Sequence, residues 1–297
     1  MKNYGAIDIG SNAVRLLIKR LEDENTGSFS KSVLLRVPLR LGGDVFTTGL
    51  LSDKKSADLV DLMRAYAIVL KLYEVDKSNM RACATAALRE AANGKEIAER
   101  ILAETGINVE IITGREEAAI ACSNVLPDDN RNVAYVDVGG GSTEVSLISR
   151  GHTLSSHSYR VGTVRIINGV VDPYWKNRIA NDMHNLRLDY ISRCTGKVCI
   201  IGAGGNINKL FSLAQDREVT HRTMSVETLR GIYEDLRSLD VKGRMELYRL
   251  KPDRADVIVP AAEVFLTIAD ALEVDQIEIP SDGLSDGIIQ TLWNKFR

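Results

Sequence analysis

The chain alternates short apolar runs, which predict strands, with longer segments whose apolar residues recur at helical spacing. Runs at 4–9 and 13–19 flank the turn Gly10-Ser11-Asn12, a pattern typical of a β-hairpin. After Ser52, a good helix-capping residue, apolar positions recur every three or four residues and predict a helix over about 53–74. This half also has predicted strands at 33–37, 80–84 and 109–112, helices interrupted at Asn93-Gly94, and a helix from about 115.

The second half repeats this order of elements. Strands at 132–137 and 144–148 flank a turn of five small residues, and a third strand follows at 153–159. The turn residues are Gly139, Gly140, Gly141, Ser142 and Thr143. A helix at about 174–194, a strand at 198–201 and a helix from about 206 come next. Later segments predict helices at 226–239 and 255–272, a strand at 276–279 and a closing helix from about 284.

The repeat extends to single residues, because Asp8 and Asp137 each end a first strand just before a glycine turn. We therefore predict an α/β fold of two duplicated β-β-β-α-β-α-β-α units around a central cleft. The predicted domains are residues 1–125 and 126–297, joined near Asp128-Asp129-Asn130, and the last helix, about 284–297, is expected to pack back on the first domain. The alternative is a single sheet in which the repeated aspartate and glycine are a coincidence.

Composition excludes several classes of protein. The chain has 38 Lys and Arg residues against 40 Asp and Glu, a formal net charge of −2, which argues against a basic surface that grips nucleic acid. No apolar run approaches the ~20 residues of a membrane span, and the first residues lack a signal peptide's basic and apolar regions. The cysteines and histidines lack disulfide or zinc-site spacing, and Cys83 and Cys122 are expected in the core. We expect a cytoplasmic protein that binds neither nucleic acid nor membranes.

The glycine turns favour a phosphate site over a nucleotide motif. The Walker pattern is absent, and the segment 202–207 begins like a dinucleotide fingerprint but has Ile207 at the third glycine position. A hairpin tip of small residues can aim several backbone N–H groups at one anion. The side chains that would add donors are Ser11, Asn12, Ser142 and Thr143. The alternative is that both turns are simple tight hairpins.

Acidic residues beside these turns suggest a metal. Asp8 and Asp137 would repel a phosphate unless a hard divalent cation bridged them, and we expect this cation to be Mg²⁺. Glu144, just after the second turn, could hold a metal-bound water, or it could be an exposed strand residue. Arginine suits phosphate oxygens, and Arg15 and Arg89 are favoured because each adjoins a turn or strand end. Arg36, Arg40 and Arg165 also lie near these elements but are not favoured.

Two adjacent glutamates at the start of the predicted helix from about 115 differ in role. Thr113 and Glu116 have the spacing of a capping box, which gives Glu116 a structural task. Glu117 has no such task and is the candidate base that takes a proton from water. The alternative is that Glu117 is a first-turn acid favoured by the helix dipole.

Together these segments resemble the exopolyphosphatase/guanosine pentaphosphate phosphatase (Ppx/GppA) family, within the actin-like ATPase superfamily. The matching segments are DIGSNAVRLLI at 8–18, ATAALREA at 84–91, TGREEA at 113–118, VDVGGGSTE at 136–144 and IGAGG at 201–205. The resemblance implies two actin-like, ribonuclease H-like domains, with Glu117 as catalytic base and Asp137 and Glu144 at metal and nucleophilic water. It also implies phosphate binding by Gly204 and Gly205, and a homodimer.

The resemblance predicts an Mg²⁺-dependent enzyme, with Mn²⁺ as a second candidate metal, that removes the terminal phosphate of inorganic polyphosphate. Hydrolysis of guanosine pentaphosphate (pppGpp), an ATP-dependent kinase and a non-catalytic polyphosphate or alarmone sensor are the alternatives. The chain departs from the family pattern at Ala13 and Ala86, where serines are common, and at 283–287, which reads Gly-Leu-Ser-Asp-Gly. It looks like the short form, without the helical C-terminal domains of larger members.

Overall fold

The computed structural model describes residues 2–123, 131–193, 198–214 and 222–295. The chain forms two compact units, residues 1–125 with 282–297 (unit 1) and residues 126–281 (unit 2). The predicted linker at Asp128-Asp129-Asn130 lies outside the described residues. Among the described helices, none is long and apolar enough to cross a membrane.

Unit 1 begins with three strands and then alternates helices with two further strands. Its elements up to the boundary are β1 (Asn3–Ile9), β2 (Val14–Asp23), β3 (Ser28–Val37), α1 (Leu41–Thr48), α2 (Asp53–Leu72), β4 (Met80–Ala84), α3 (Ala86–Glu90), α4 (Gly94–Thr105), β5 (Val109–Ile111) and α5 (Gly114–Cys122), with a 3₁₀ turn at Lys77–Asn79.

Unit 2 starts with the same succession and adds helices before its last strand. Its elements are β6 (Asn132–Val138), β7 (Thr143–Ser149), β8 (His152–Tyr159), α6 (Thr163–Ile167), α7 (Trp175–Arg193), β9 (Val198–Ala203), α8 (Gly205–Leu213), β10 (Thr223–Ser225), α9 (Val226–Arg237), α10 (Val241–Tyr248), α11 (Pro252–Ala255), α12 (Ile258–Leu272) and β11 (Gln276–Glu278). The last helix, α13 (Leu284–Asn294), belongs to unit 1 and packs on α5 and β1.

The two sheets have the same topology. In unit 1 the strand order is β3-β2-β1-β4-β5, with an antiparallel β1–β2–β3 meander and parallel β4 and β5. In unit 2 the order is β10-β11-β9-β6-β7-β8, which repeats that arrangement and adds β10 at the edge. The duplication predicted from the repeated element order is thus present in the strand connections.

Each unit has its own apolar core against its sheet. Strands β1 and β6 are buried along almost their whole length, as is typical of central strands covered on both faces. In unit 2, α12 is the most apolar helix and carries buried residues such as Phe265, which is 0% exposed. Because these central strands are buried, the turns at their carboxyl ends are held in place.

The structure corrects some predicted elements. Helix α1 is not predicted by the sequence pattern, because Gly42 and Gly43 lower its helix propensity. The helix predicted over 255–272 begins at Ile258 instead, after the short helix α11. Cys83 is fully buried, as predicted, but Cys122 is only half-buried because it is the last residue of α5.

Candidate active site

In unit 2, the β6–β7 hairpin pairs two carboxylates. Asp137 is the register partner of Glu144, so both side chains lie on the same face of the sheet. Gly139 closes the turn by donating its N–H to the Ser142 carbonyl at 2.9 Å. Glu144 is 1% exposed, and Ser158 Oγ donates to its Oε1 at 2.9 Å. The alternative that Glu144 is an exposed strand residue is therefore wrong.

The carbonyls of the glycine turn are held by helix α6. Two N–H groups in its first turn donate to the Gly139 and Gly140 carbonyls at 3.0 and 2.9 Å. Arg165, which is 4% exposed, donates through Nε to the Gly141 carbonyl at 2.6 Å. Across the described ranges, no main-chain carbonyl accepts the N–H of Gly140 or Gly141. With its carbonyls held on one side, the turn has N–H groups to offer an anion.

The turn after β9 lies directly against Asp137. Gly204 has a φ of +96°, and a Cβ on it would be 2.7 Å from Asp137 Oδ1. Glycine is required there for both the conformation and the close approach. Gly205 begins α8 at the same turn, and Arg254 donates to Asn206 Oδ1 at 2.7 Å. The structure thus brings Gly204, Gly205 and Asp137 together, with an arginine nearby.

Unit 1 has a hairpin, β1–β2, whose turn is closed by the same backbone hydrogen bond as the β6–β7 turn but whose charged residues differ. Gly10 donates its N–H to the Ala13 carbonyl at 3.1 Å. Asp8 and Arg15 are register partners, with Arg15 Nη1 2.7 Å from Asp8 Oδ2. Asp8 is 2% exposed, so its charge is neutralised mainly by this ion pair. Arg15, predicted to bind phosphate, therefore pairs with Asp8 and occupies the register position that Glu144 has in unit 2.

The unit 1 turn is also held by the helix that follows its third strand. The Ser11 carbonyl accepts the N–H of Gly42 at 2.8 Å, and the Asn12 carbonyl accepts that of Arg40 at 2.9 Å. Arg40 precedes α1 with a φ of 55°, in the left-handed region. Helix α1 thus does for Ser11 and Asn12 what α6 does for the glycine turn of unit 2.

The carboxylates of unit 2 fit a magnesium ion better than Asp8 does. Among the described residues, no three His, Cys, Asp or Glu side chains gather into a complete metal cluster. Mg²⁺ does not need one, because it usually takes one or two carboxylates and completes its shell with water and phosphate oxygens. Asp137 and Glu144, paired across one hairpin beside a phosphate-sized turn, match that requirement. Asp8 already has a cation beside it in Arg15.

The capping box at the start of α5 is present as predicted. Thr113 Oγ1 accepts the N–H of Glu116 at 3.2 Å, and Glu116 Oε2 accepts the N–H of Thr113 at 2.7 Å. The backbone N–H and the hydroxyl of Thr113 lower the pKa of Glu116, because both donate to its charged form. The Glu116 carboxylate therefore serves to cap the first turn of α5.

Glu117 faces an arginine instead of the helix end. Its side chain is 12% exposed, and its Oε2 lies 3.6 Å from Arg89 Nη1. Arg89 Nη1 also donates to the Ile112 carbonyl at 2.7 Å, immediately before α5. Arg89, predicted to bind phosphate, thus ties α3 to the helix that carries the candidate base.

Sequence reasoning missed two arginines of unit 2. The sequence pattern does not favour Arg165 and does not single out Arg254. Both reach groups far along the chain, the Gly141 carbonyl and the Asn206 amide. Since neither adjoins a predicted turn, only the folded positions of α6 and α11 reveal them. The other arginines, Arg36 and Arg40, lie at the end of β3 and before α1.

Comparison with known proteins gives consistent matches over almost the whole chain. The model of the Ppx/GppA phosphatase family matches residues 23–296. A Haemophilus influenzae protein named putative exopolyphosphatase is 23% identical, over 100% of this chain and 93% of its own. The guanosine-5'-triphosphate,3'-diphosphate pyrophosphatase of Vibrio atlanticus is 27% identical, over 99% of this chain and 60% of its own.

The same fold occurs in solved structures. An exopolyphosphatase from Cytophaga hutchinsonii superposes with a TM-score of 0.84 at 19% identity, covering 99% of this chain and 98% of that one. This likeness confirms the predicted α/β fold class. The chain spans less than two thirds of the length of several curated relatives, the Vibrio protein among them.

Proposed function

The chain belongs to the Ppx/GppA phosphatase family, and we propose that it is an Mg²⁺-dependent exopolyphosphatase that releases the terminal phosphate of inorganic polyphosphate. The observation that carries this proposal is the Asp137–Glu144 pair beside a glycine turn whose carbonyls are held away by α6 and Arg165. Such a turn offers N–H groups to phosphate oxygens, and the paired carboxylates offer oxygen ligands to a divalent cation.

In the proposed site, Asp137 and Glu144 would hold Mg²⁺. When bound, the ion neutralises phosphate charge and polarises the attacking water. The N–H groups of the glycine turn would bind the oxygens of the terminal phosphate. Gly204 keeps the backbone close to Asp137 without displacing its carboxylate.

Glu117 would act as general base in unit 1. The water oxygen attacks the terminal phosphorus, its proton passes to Glu117, and the bridging P–O bond breaks with its electron pair on the remaining chain. The proton then leaves Glu117 for solvent or product. Phosphoryl transfer of this kind needs mainly positioning and charge stabilisation. The Arg89 guanidinium, which donates to the Ile112 carbonyl, lies beside the Glu117 carboxylate and would hold it in position.

Hydrolysis of pppGpp is the second candidate, favoured by the match to the Vibrio atlanticus pyrophosphatase. This reaction also breaks a terminal phosphoanhydride bond, and it would use the same metal ligands, glycine turn and base. A sensor that binds without hydrolysis would not need a base. Glu117 takes no part in the capping box and its carboxylate is held beside Arg89, so its position favours an enzyme over a sensor.

The deciding experiment measures phosphate release from long polyphosphate, short polyphosphate and pppGpp, each with Mg²⁺, with Mn²⁺ and with EDTA. Metal-dependent release from polyphosphate is the expected result, and the ranking of kcat/KM identifies the substrate. Faster phosphate release from pppGpp would identify pppGpp as the preferred substrate of the same type of hydrolysis. Binding of polyphosphate without release from any substrate would overturn the enzyme proposal in favour of a sensor.

A further inference from the structure

The first turn of α13 makes an unusually close contact with α5. A Cβ on Gly287 would lie 2.0 Å from the Ile120 carbonyl oxygen and 2.8 Å from its carbonyl carbon. Both atoms are backbone, so no side-chain rotation could relieve the overlap. Helix backbones approach this closely only where a glycine stands at the crossing, since ordinary side chains keep helix axes about 8–10 Å apart.

This contact lies next to the candidate base. Ile120 follows Glu117 by three residues, so both lie on neighbouring parts of the α5 surface. At its other end α5 is held by the Thr113 cap and by Arg89, which donates to the Ile112 carbonyl at 2.7 Å. The position of the Glu117 carboxylate is therefore set between two fixed points, the capped end and the Gly287 crossing.

Helix α13 is itself anchored to the sheet of unit 1. Lys19 Nζ on β2 lies 2.6 Å from Asp286 Oδ1, and both side chains are largely buried, at 15% and 9% exposed. The other carboxylate oxygen, Oδ2, accepts the Gly283 N–H at 3.0 Å and caps the helix. Asp286 thus fixes the turn that contains Gly287 against β2.

We propose that Gly287 is a positioning residue for Glu117: it sets how closely α5 can lie on α13 and thereby where the Glu117 carboxylate stands. This inference rests on the proposed role of Glu117 as base. It also gives a function to the segment 283–287, which departs from the family pattern at Ser285 and Asp286. Gly287 allows α13 to pack closely on α5, and the Asp286–Lys19 ion pair holds α13 against β2.

The direct test is Gly287→Ala, with Gly283→Ala as the matched control in the same turn. Gly283 has nothing within 4 Å of its Cβ position and an extended φ of −147° that alanine can adopt. To clear the Ile120 carbonyl, Gly287→Ala must move the helices apart by about 1 Å, and a misplacement of that size can lower the rate about 100-fold. We expect kcat to fall about 10- to 100-fold with KM within about twofold of wild type, and Gly283→Ala to keep both constants.

A double-mutant comparison separates positioning from general damage. If Gly287 acts through Glu117, Gly287→Ala will lower the residual rate of Glu117→Gln by less than about twofold, because the displaced group no longer contributes. An equal fold-loss in both backgrounds would overturn the positioning role and leave Glu117 as base. Wild-type turnover by Glu117→Gln would instead overturn the proposed function itself.

A second variant covers the case in which Gly287→Ala does not fold. Lys19→Met removes the ion pair to Asp286, keeps the Gly283 cap and adds no atom at the α5 crossing. The loosened α13 should lower kcat about two- to fivefold, again only when Glu117 is present. An unchanged kcat in a folded Lys19→Met protein would overturn the inference.

Discussion

Arg15 Nη1 lies 2.7 Å from Asp8 Oδ2, across the β1–β2 hairpin, at the register position where unit 2 has Glu144 opposite Asp137. In both units the first glycine of the turn donates its N–H to the carbonyl three residues on, and the charge differs at one register position, Arg15 against Glu144. In unit 1 the buried carboxylate has a cation of its own chain beside it, whereas in unit 2 two carboxylates stand together. The duplicated hairpins are therefore chemically different sites, and only that of unit 2 offers two acidic ligands in register.

Replacing Arg15 by methionine should destabilise unit 1, because Asp8 would be left buried without its partner. The guanidinium is 31% exposed, so we expect a loss of about 1–3 kcal/mol in the free energy of unfolding. Urea denaturation at neutral pH measures it. Adding Asp8→Asn to Arg15→Met should restore part of the loss, and a double variant less stable than Arg15→Met would contradict the pairing argument.

Glu117→Gln should lower kcat by about 10²–10⁴-fold, since glutamine keeps the size of the side chain but cannot accept the proton from water. Phosphate release from the preferred substrate measures the change. Glu116→Gln is the matched control, because glutamine also serves at this capping-box position. Equal losses in the two variants would indicate that the helix end matters and the base does not.

Gly204→Ala should weaken the response to metal. Its Cβ would press on Asp137 Oδ1, so we expect the Mg²⁺ concentration for half-maximal activity to rise about 10-fold or more. Gly169→Ala controls for backbone strain, since Gly169 also has a positive φ, +68°, but has open space around it. Both variants should lose about 1–2 kcal/mol of stability, and only Gly204→Ala should change the metal titration.

Stability should fall at alkaline pH. Burial raises the pKa of the Cys83 thiol from 9.0 to about 12, so the folded state holds its proton where the unfolded state releases it. The contribution is complete below pH 9 and declines as pH rises toward 12, by about 1 kcal/mol per pH unit. Burial likewise raises the pKa of Tyr66 to about 12. Urea denaturation of wild type and Cys83→Ala at pH 8 and 10 checks this: the variant should lose less stability between them.

The elements predicted best were those with signals within the chain itself. Strand β4 matches its prediction, and both the Ser52 cap and the capping box of Thr113 and Glu116 are present. These features depend on residues within a few positions of one another, so spacing and residue type suffice.

The unpredicted features depend on contacts between distant segments. Helix α1 contains two adjacent glycines, and its first turn is held by carbonyls of the Ser11-Asn12 turn. Arg165 donates to the Gly141 carbonyl, 24 residues away along the chain, a contact that residue spacing does not indicate. The need for glycine at 287 follows from the backbone of α5 and from nothing in its own segment. Spacing could propose the ligand types but could not indicate that Arg15 pairs with Asp8.

The placement of α13 in unit 1 has a consequence for biosynthesis. All of residues 126–281 separate α5 from α13, which buries Ile288 and Ile289 in unit 1. On the ribosome, the α5 surface that receives Gly287 leaves the exit tunnel long before its partner is translated. Until unit 2 has been synthesised, the apolar groups of α5 and β1 that α13 covers in the folded protein stay uncovered. Helix α5 therefore gains its packing partner only late in translation.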